Sequence, residues 1–179
     1  MGLFENKIKQ FPKIFDWVER QDVSRLGGFL HGNDRCNHLF VASGGSFSAA
    51  VYAEQLSADR GIMSHALTPL LYTGSGFAHM AARTLLISAS GYNNDILRAY
   101  DNGCLAEKQE TGAVVLYSKG KLQTLMQEKN ANNLFSFDIP TGRDGFLSST
   151  TVLAFYTLLY RAFGYTELSS LSTDISEKE

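Results

Sequence analysis

Two short stretches carry the residue types from which an anion site can be built. The first, Val41-Ala42-Ser43-Gly44-Gly45-Ser46-Phe47-Ser48-Ala49-Ala50, runs from an apolar strand through a Gly/Ser turn into a helix. The second, Leu85-Leu86-Ile87-Ser88-Ala89-Ser90-Gly91-Tyr92-Asn93, ends another apolar strand in serines, a glycine and a fresh helix start. Helix starts offer backbone N–H groups and the positive end of a dipole, and short hydroxyl side chains close round an anion without adding bulk. In a parallel sheet, two such strand ends open onto one carboxyl edge, where open α/β sheets bind ligands. Together they read as a phosphate cradle. Either loop alone is equally well explained by turn and capping chemistry, so the recurrence carries the argument.

The elements that would position these loops follow from the hydrophobic pattern. Strands are expected at 38–43, 64–68, 84–88, 113–117 and 134–139, each short and rich in Val, Leu, Ile, Phe or Ala. Helical segments at 46–60, 75–82, 92–109 and 119–130 join them. That alternation implies right-handed βαβ crossovers. The expected fold is α/β: a three-layer αβα sandwich with a five-stranded parallel sheet, of Rossmann-like or flavodoxin-like character. Residues 3–30 read as helix in two pieces, with Pro12 in the first turn of the second and Gly27-Gly28 as an interruption. A last helix, 145–163, is apolar nearly all round and ends at Gly164. One domain is expected over 1–164, residues 1–32 being helices packed on it, followed by a polar tail or linker at 165–179.

Composition excludes several classes. The chain has 179 residues, 44% of them apolar and 19% charged, as in ordinary soluble globular proteins. A formal charge of -2, without a Lys/Arg stripe, argues against nucleic-acid binding. The stretch from Phe146 to Phe163 carries too many Ser and Thr, and Arg161, for a membrane span. Cys36 and Cys104 lack metal or redox spacing and are expected to be free, buried thiols in a cytoplasmic protein. His31 and His38 flank Asp34 and Cys36, but Gly32-Asn33-Asp34-Arg35 reads as a turn rather than a metal site. No metal and no cofactor is expected.

The chain resembles the sugar isomerase (SIS) domain family over residues 9–163. Ser43-Gly44-Gly45-Ser46 is similar to the first family loop, and Ser88-Ala89-Ser90-Gly91 to the second, Ser-x-Ser-Gly. Gln10-Phe11-Pro12, Gly112-Ala113-Val114-Val115 and Thr150-Thr151 match its helix entry, its fourth strand and the opening of its closing helix, in the family's order. The resemblance implies that Ser46, Ser88 and Ser90 hold a sugar phosphate, with Ser43 in the same loop. Gly44, Gly45 and Gly91 would let the backbone approach, and Asn93 would stand in for a family hydroxyl. It also implies pairing, as a homodimer or homotetramer or with a second SIS domain. The apolar closing helix and the aromatic segment Phe11, Phe15 and Trp17 agree with that.

Two activities stay open at this point. Aldose–ketose isomerisation needs a base and an acid near the reacting carbons. Family isomerases carry a Glu in the helix after the first loop; here the string is Ala53-Glu54-Gln55-Leu56, and Gln55 cannot act as a base. Glu54 is the candidate base, and His65 and His79 are the candidate acids. Each is also readable as an ordinary surface residue. The alternative is a non-catalytic module that senses a sugar phosphate. Tyr92 replaces a common Glu or Asn, and Asp138 to Ser149 departs from the short family turn. A serine hydrolase fails on the order of its triad, a dinucleotide fold lacks G-x-G-x-x-G, and no Walker A loop occurs.

Overall fold

A computed structural model describes residues 3–32, 37–79, 82–106, 109–142, 144 and 148–166. Five strands, β1 (Asn37–Ala42), β2 (Ser64–Leu67), β3 (Ala82–Ile87), β4 (Gln109–Val115) and β5 (Leu134–Ser136), form one sheet in the order β2-β1-β3-β4-β5. Every neighbouring pair is parallel. The ladder continues past the last two strands: the N–H groups of Phe137 and Ile139 donate to Val115 and Leu116, and Leu116 donates to Ala89. This extends the third, fourth and fifth strand ends into the carboxyl edge.

Alternation along the strands divides the core into two layers. Phe40, Ala42, Leu85, Ile87, Val114 and Phe135 face one side, covered by α2 (Phe11–Glu19), α3 (Ser24–His31), α4 (Phe47–Asp59) and α8 (Ser149–Ala162). Leu39, Val41, Leu86, Ala113 and Val115 face the other. There they meet α5 (Pro69–Gly74), α6 (Asn94–Leu105) and α7 (Lys121–Glu128). The helix after β1 therefore lies on one face and the helix after β3 on the other. Since β1 and β3 are neighbours, the chain diverges between them and leaves a crevice at their carboxyl ends.

Four local expectations are corrected. The N-terminal segment forms three helices, α1 (Leu3–Ile8), α2 and α3, because the Asp22 carboxylate accepts from Ser24 N (2.9 Å) and starts a new helix. Gly27 and Gly28 lie inside α3 rather than breaking it; a side chain at Gly27 would come within 3.0 Å of the Ala162 carbonyl, so the glycine admits α8. The helix expected at 75–82 is instead α5, started by Thr68, whose Oγ1 accepts from Leu71 N (3.3 Å), with Pro69 in its first turn. Only a 3-10 turn, Gly76–His79, follows it. Cys104 is exposed rather than buried; Cys36 lies outside the described residues. α8 ends as its sequence indicates, at Gly164 with φ +84°.

Candidate functional site

The first loop leaves β1 at Ser43, passes through Gly44 at φ +57°, and turns once as a 3-10 helix (Gly44–Ser46) before α4 begins. Gly45 faces α8: a methyl group there would meet Ser148 Cβ at 2.8 Å, so only glycine lets the helix start pack on the loop. The second loop leaves β3 at Ser88 and turns through Gly91 at φ +68°. Ser88 Oγ accepts from Gly91 N (3.2 Å), and Ser90 Oγ accepts from Tyr92 N (3.4 Å). Both hydroxyls thus shape the turn as acceptors and keep their own protons to donate. Asn93 caps α6, its Oδ1 accepting from Asp95 N (2.8 Å).

The same Asn93 joins the loops. Its Nδ2 donates to Ser43 Oγ at 2.9 Å, across fifty residues of sequence. The two Gly/Ser turns therefore meet at the mouth of the crevice between β1 and β3, each followed by a helix whose N-terminus opens there. The Ser46 side chain makes no hydrogen bond among the described residues, so its hydroxyl is available to a ligand.

A third loop, 116–120, closes in from β4. Gln123 holds it: its Nε2 donates to the Tyr117 carbonyl while the side chain, 2% exposed, packs between Gly91 and Gly120. A methyl at Gly91 would overlap Gln123 Oε1, and one at Gly120 would overlap the Ser90 carbonyl. The Leu122 N–H donates to the Gly91 carbonyl at 2.9 Å. Gln123 and Gly120 were not legible as site residues, because their role is to buttress a loop distant in sequence. A cleft of about 580 Å³, bordered by Tyr92, Ser118, Lys119, Lys121 and Thr124, opens beside this junction.

Asp138 and Asp144 also reach this edge. Asp138 Oδ1 accepts from Ser118 N (2.7 Å). The Asp144 side chain, 3% exposed, pairs with Lys7 Nζ at 2.5 Å and accepts from Thr150 Oγ1 (2.5 Å) and Thr151 N (2.7 Å). Burial alone would raise its pKa; the bonds from Lys7, Thr150 and Thr151 outweigh that and hold the carboxyl below its ordinary value.

The acid–base candidates lie elsewhere. Glu54 and His65 come together, His65 Nδ1 standing 4.0 Å from Glu54 Oε1. Glu54 Oε2 accepts from Ala66 N (3.2 Å), a backbone donor on the free edge of β2. Eight residues of α4 separate Glu54 from Ser46, about 12 Å of helix. His65 is level with Leu39, four residues and about 13 Å below Ser43. The pair therefore flanks the sheet well below the loops. His79 closes the turn leading into β3, on the side of the amino edge. Gln55 is exposed and donates to Asp59 at 3.3 Å.

No metal-holding group of His, Cys, Asp or Glu occurs among the described residues. No helix there is long and apolar enough to cross a membrane.

No family model and no curated protein sequence matches the chain. Solved structures do. Tagatose-6-phosphate ketose/aldose isomerase from Escherichia coli aligns at a TM-score of 0.71 and 17% identity, over 89% of this chain and 46% of that one. The fold is that of the SIS domain. A protein from an Escherichia coli strain, solved in complex with a sugar phosphate, aligns with this SIS fold at 0.65 and 16% identity, over 99% of this chain and 100% of that one. The C-terminal domain of glucosamine-fructose-6-phosphate aminotransferase from Francisella tularensis aligns at 0.61 and 11% identity, over 97% and 52%. The SIS unit thus spans the whole of some neighbours and about half of others.

Proposed function

We propose that this protein binds a sugar phosphate at the carboxyl edge between β1 and β3 and interconverts its aldose and ketose forms. The observation that carries the reading is the Asn93–Ser43 hydrogen bond, which joins the two loops at one edge of the sheet. The phosphate would take donors from Ser43, Ser46, Ser88, Ser90 and Asn93, with Gly44, Gly45 and Gly91 allowing close backbone approach. The sugar-phosphate complex of one neighbour and the isomerase named in another support this ligand class.

A second reading, a sensing module without turnover, is favoured by the placement of Glu54 and His65 below the loops, where they brace the edge of β2. Both readings share the phosphate site. We also propose that the protein pairs, as a homodimer or homotetramer or with a second SIS domain. The surface for this is the aromatic face of α4 and α8, where Phe47, Val51, Tyr52 and Tyr156 border a cleft of about 610 Å³.

A thermal-shift screen with inorganic phosphate and a panel of sugar phosphates tests the site. A ligand at ~100 times its dissociation constant adds about 2.7 kcal/mol, a shift of several degrees for a chain of this size. Wild type is expected to shift with one sugar phosphate, and a Ser46→Ala/Ser90→Ala variant is not. Equal shifts in both proteins would remove the loops from the site.

A further inference from the structure

We infer that Asp138, at the carboxyl end of β5, is the base that moves the proton between C1 and C2 of the bound sugar. The inference rests on the sugar-phosphate reading above. It begins with a shortage: among the described carboxylates, only Asp95, Asp138 and Asp144 stand at the carboxyl edge beside the loops. Asp144 is held by three donors and its side chain is only 3% exposed, so a ligand cannot reach its carboxylate. Asp95 sits in the first turn of α6, beside the Asn93 cap, at the end where the phosphate would lie. A carboxylate there repels the dianion and is remote from the sugar carbons.

Asp138 meets the opposite description. It is exposed, and one carboxylate oxygen is fixed by Ser118 N at 2.7 Å, while the other makes no hydrogen bond among the described residues. Phe137 and Ile139 are buried in the α4/α8 layer, so strand alternation turns Asp138 to the other face. Ser118, which holds it, borders the cleft that also contains Tyr92 from the second loop. The backbone beneath it is rigid, because Leu116 is bonded to both Ala89 and Ile139. Two and a half strand spacings, about 12 Å, separate the β1/β3 crevice from the end of β5, a span that an open-chain sugar phosphate covers together with the Asp138 side chain and one hydrogen bond. With its phosphate between β1 and β3, such a substrate lays its C1–C2 end over β4 toward Asp138.

The step balances without a co-reactant. The free oxygen of Asp138 takes the proton from C2 of the aldose, and the C2–H electron pair becomes the C1–C2 double bond of the enediol as O1 gains a proton from water. Asp138 then returns its proton to C1, and O2 gives up its hydroxyl proton to water as the ketone forms. Neither oxidant nor metal is consumed or required by that balance.

The test compares wild type, Asp138→Asn and Asp95→Asn on a panel of pentose and hexose phosphates, aldoses and ketoses alike. Turnover and solvent deuterium at C2 are followed by NMR, and ligand binding by thermal shift. Asparagine keeps the acceptor for Ser118 N, so the loop is retained. Asp138→Asn is expected to bind as wild type does and to lose about 10²- to 10⁴-fold in kcat with little change in KM. Asp95→Asn should keep the wild-type kcat, its only effect being tighter binding as the repulsion is removed. Wild-type kcat in Asp138→Asn, or loss of turnover in Glu54→Gln instead, overturns the assignment. Binding by wild type without turnover or deuterium uptake also overturns it and leaves the sensing reading standing. Failure of every sugar phosphate to bind removes the reading beneath it.

Discussion

His38 shows how a residue's setting rather than its type decides its chemistry. It follows the first residue of β1, is 2% exposed, and its Nδ1 has no hydrogen-bond partner. Burial foremost, then the charges of Arg83 and His31, lowers its pKa to about 4. The folded protein therefore holds the neutral ring, while the unfolded chain takes up a proton near pH 6.5, the ordinary histidine value. As pH falls the unfolded state binds more protons, so stability is fully present above about 6.5 and declines from there to about 4. The expected loss is up to about 3 kcal/mol. Urea denaturation from about pH 7 to about pH 4 measures it, and His38→Leu should flatten that slope; an unchanged slope would locate the titration elsewhere. At the same scale, Asn93 and Ser43 have shapes and spacings plain in the sequence, yet their bond is not. The sequence placed Asn93 at the second loop, and only the adjacency of β1 and β3 brings it to the first.

Among the elements, α8 and α1 are coupled by one buried ion pair. Asp144 lies outside any helix, yet its carboxylate supplies the cap of α8 by accepting from Thr151 N, while Lys7 ties the same group to α1. Removing Asp144 leaves a mostly buried ammonium and an uncapped helix start. Asp144→Ala is expected to cost at least about 3 kcal/mol. Lys7→Ala in that background should add little, since the partners are shared. Urea midpoints of the single and double variants check this, and additive losses would show that the pair is not coupled. Hydrogen exchange should show α1 losing protection first in both variants. The sequence marked Asp138 to Ser149, which includes Asp144, as a departure without a role, because a cap seven residues from the amide it serves leaves no local signature. Helix boundaries failed for a similar reason at α5: apolar periodicity did not distinguish 69–74 from 75–82, whereas Thr68-Pro69 marks the start directly.

For the whole molecule, the proposed pairing would run through the α4/α8 face. Tyr52 and Tyr156 stack at 4.6 Å between centroids beside Val51, which is 46% exposed. Light scattering is expected to give a multiple of the 19.7 kDa chain, and Val51→Asp/Tyr156→Asp to reduce it to one. A monomeric wild type would count against pairing through this face. What the sequence determined by itself was the set of elements and the two turns: apolar runs of strand length, glycines where φ is positive, and serines at strand ends are local facts of covalent chemistry. What the tertiary structure alone decided was which of these meet. Strand order brought the Ser43 and Asn93 loops together, carried Asp138 to the same edge, and left Glu54 and His65 on the outer edge of β2. Periodicity along a helix tells which residues share its face, but the distance from that face to a loop depends on the direction in which the helix leaves it. α4 runs away from the carboxyl edge, so every turn carries its residues about 5.4 Å further from the ligand.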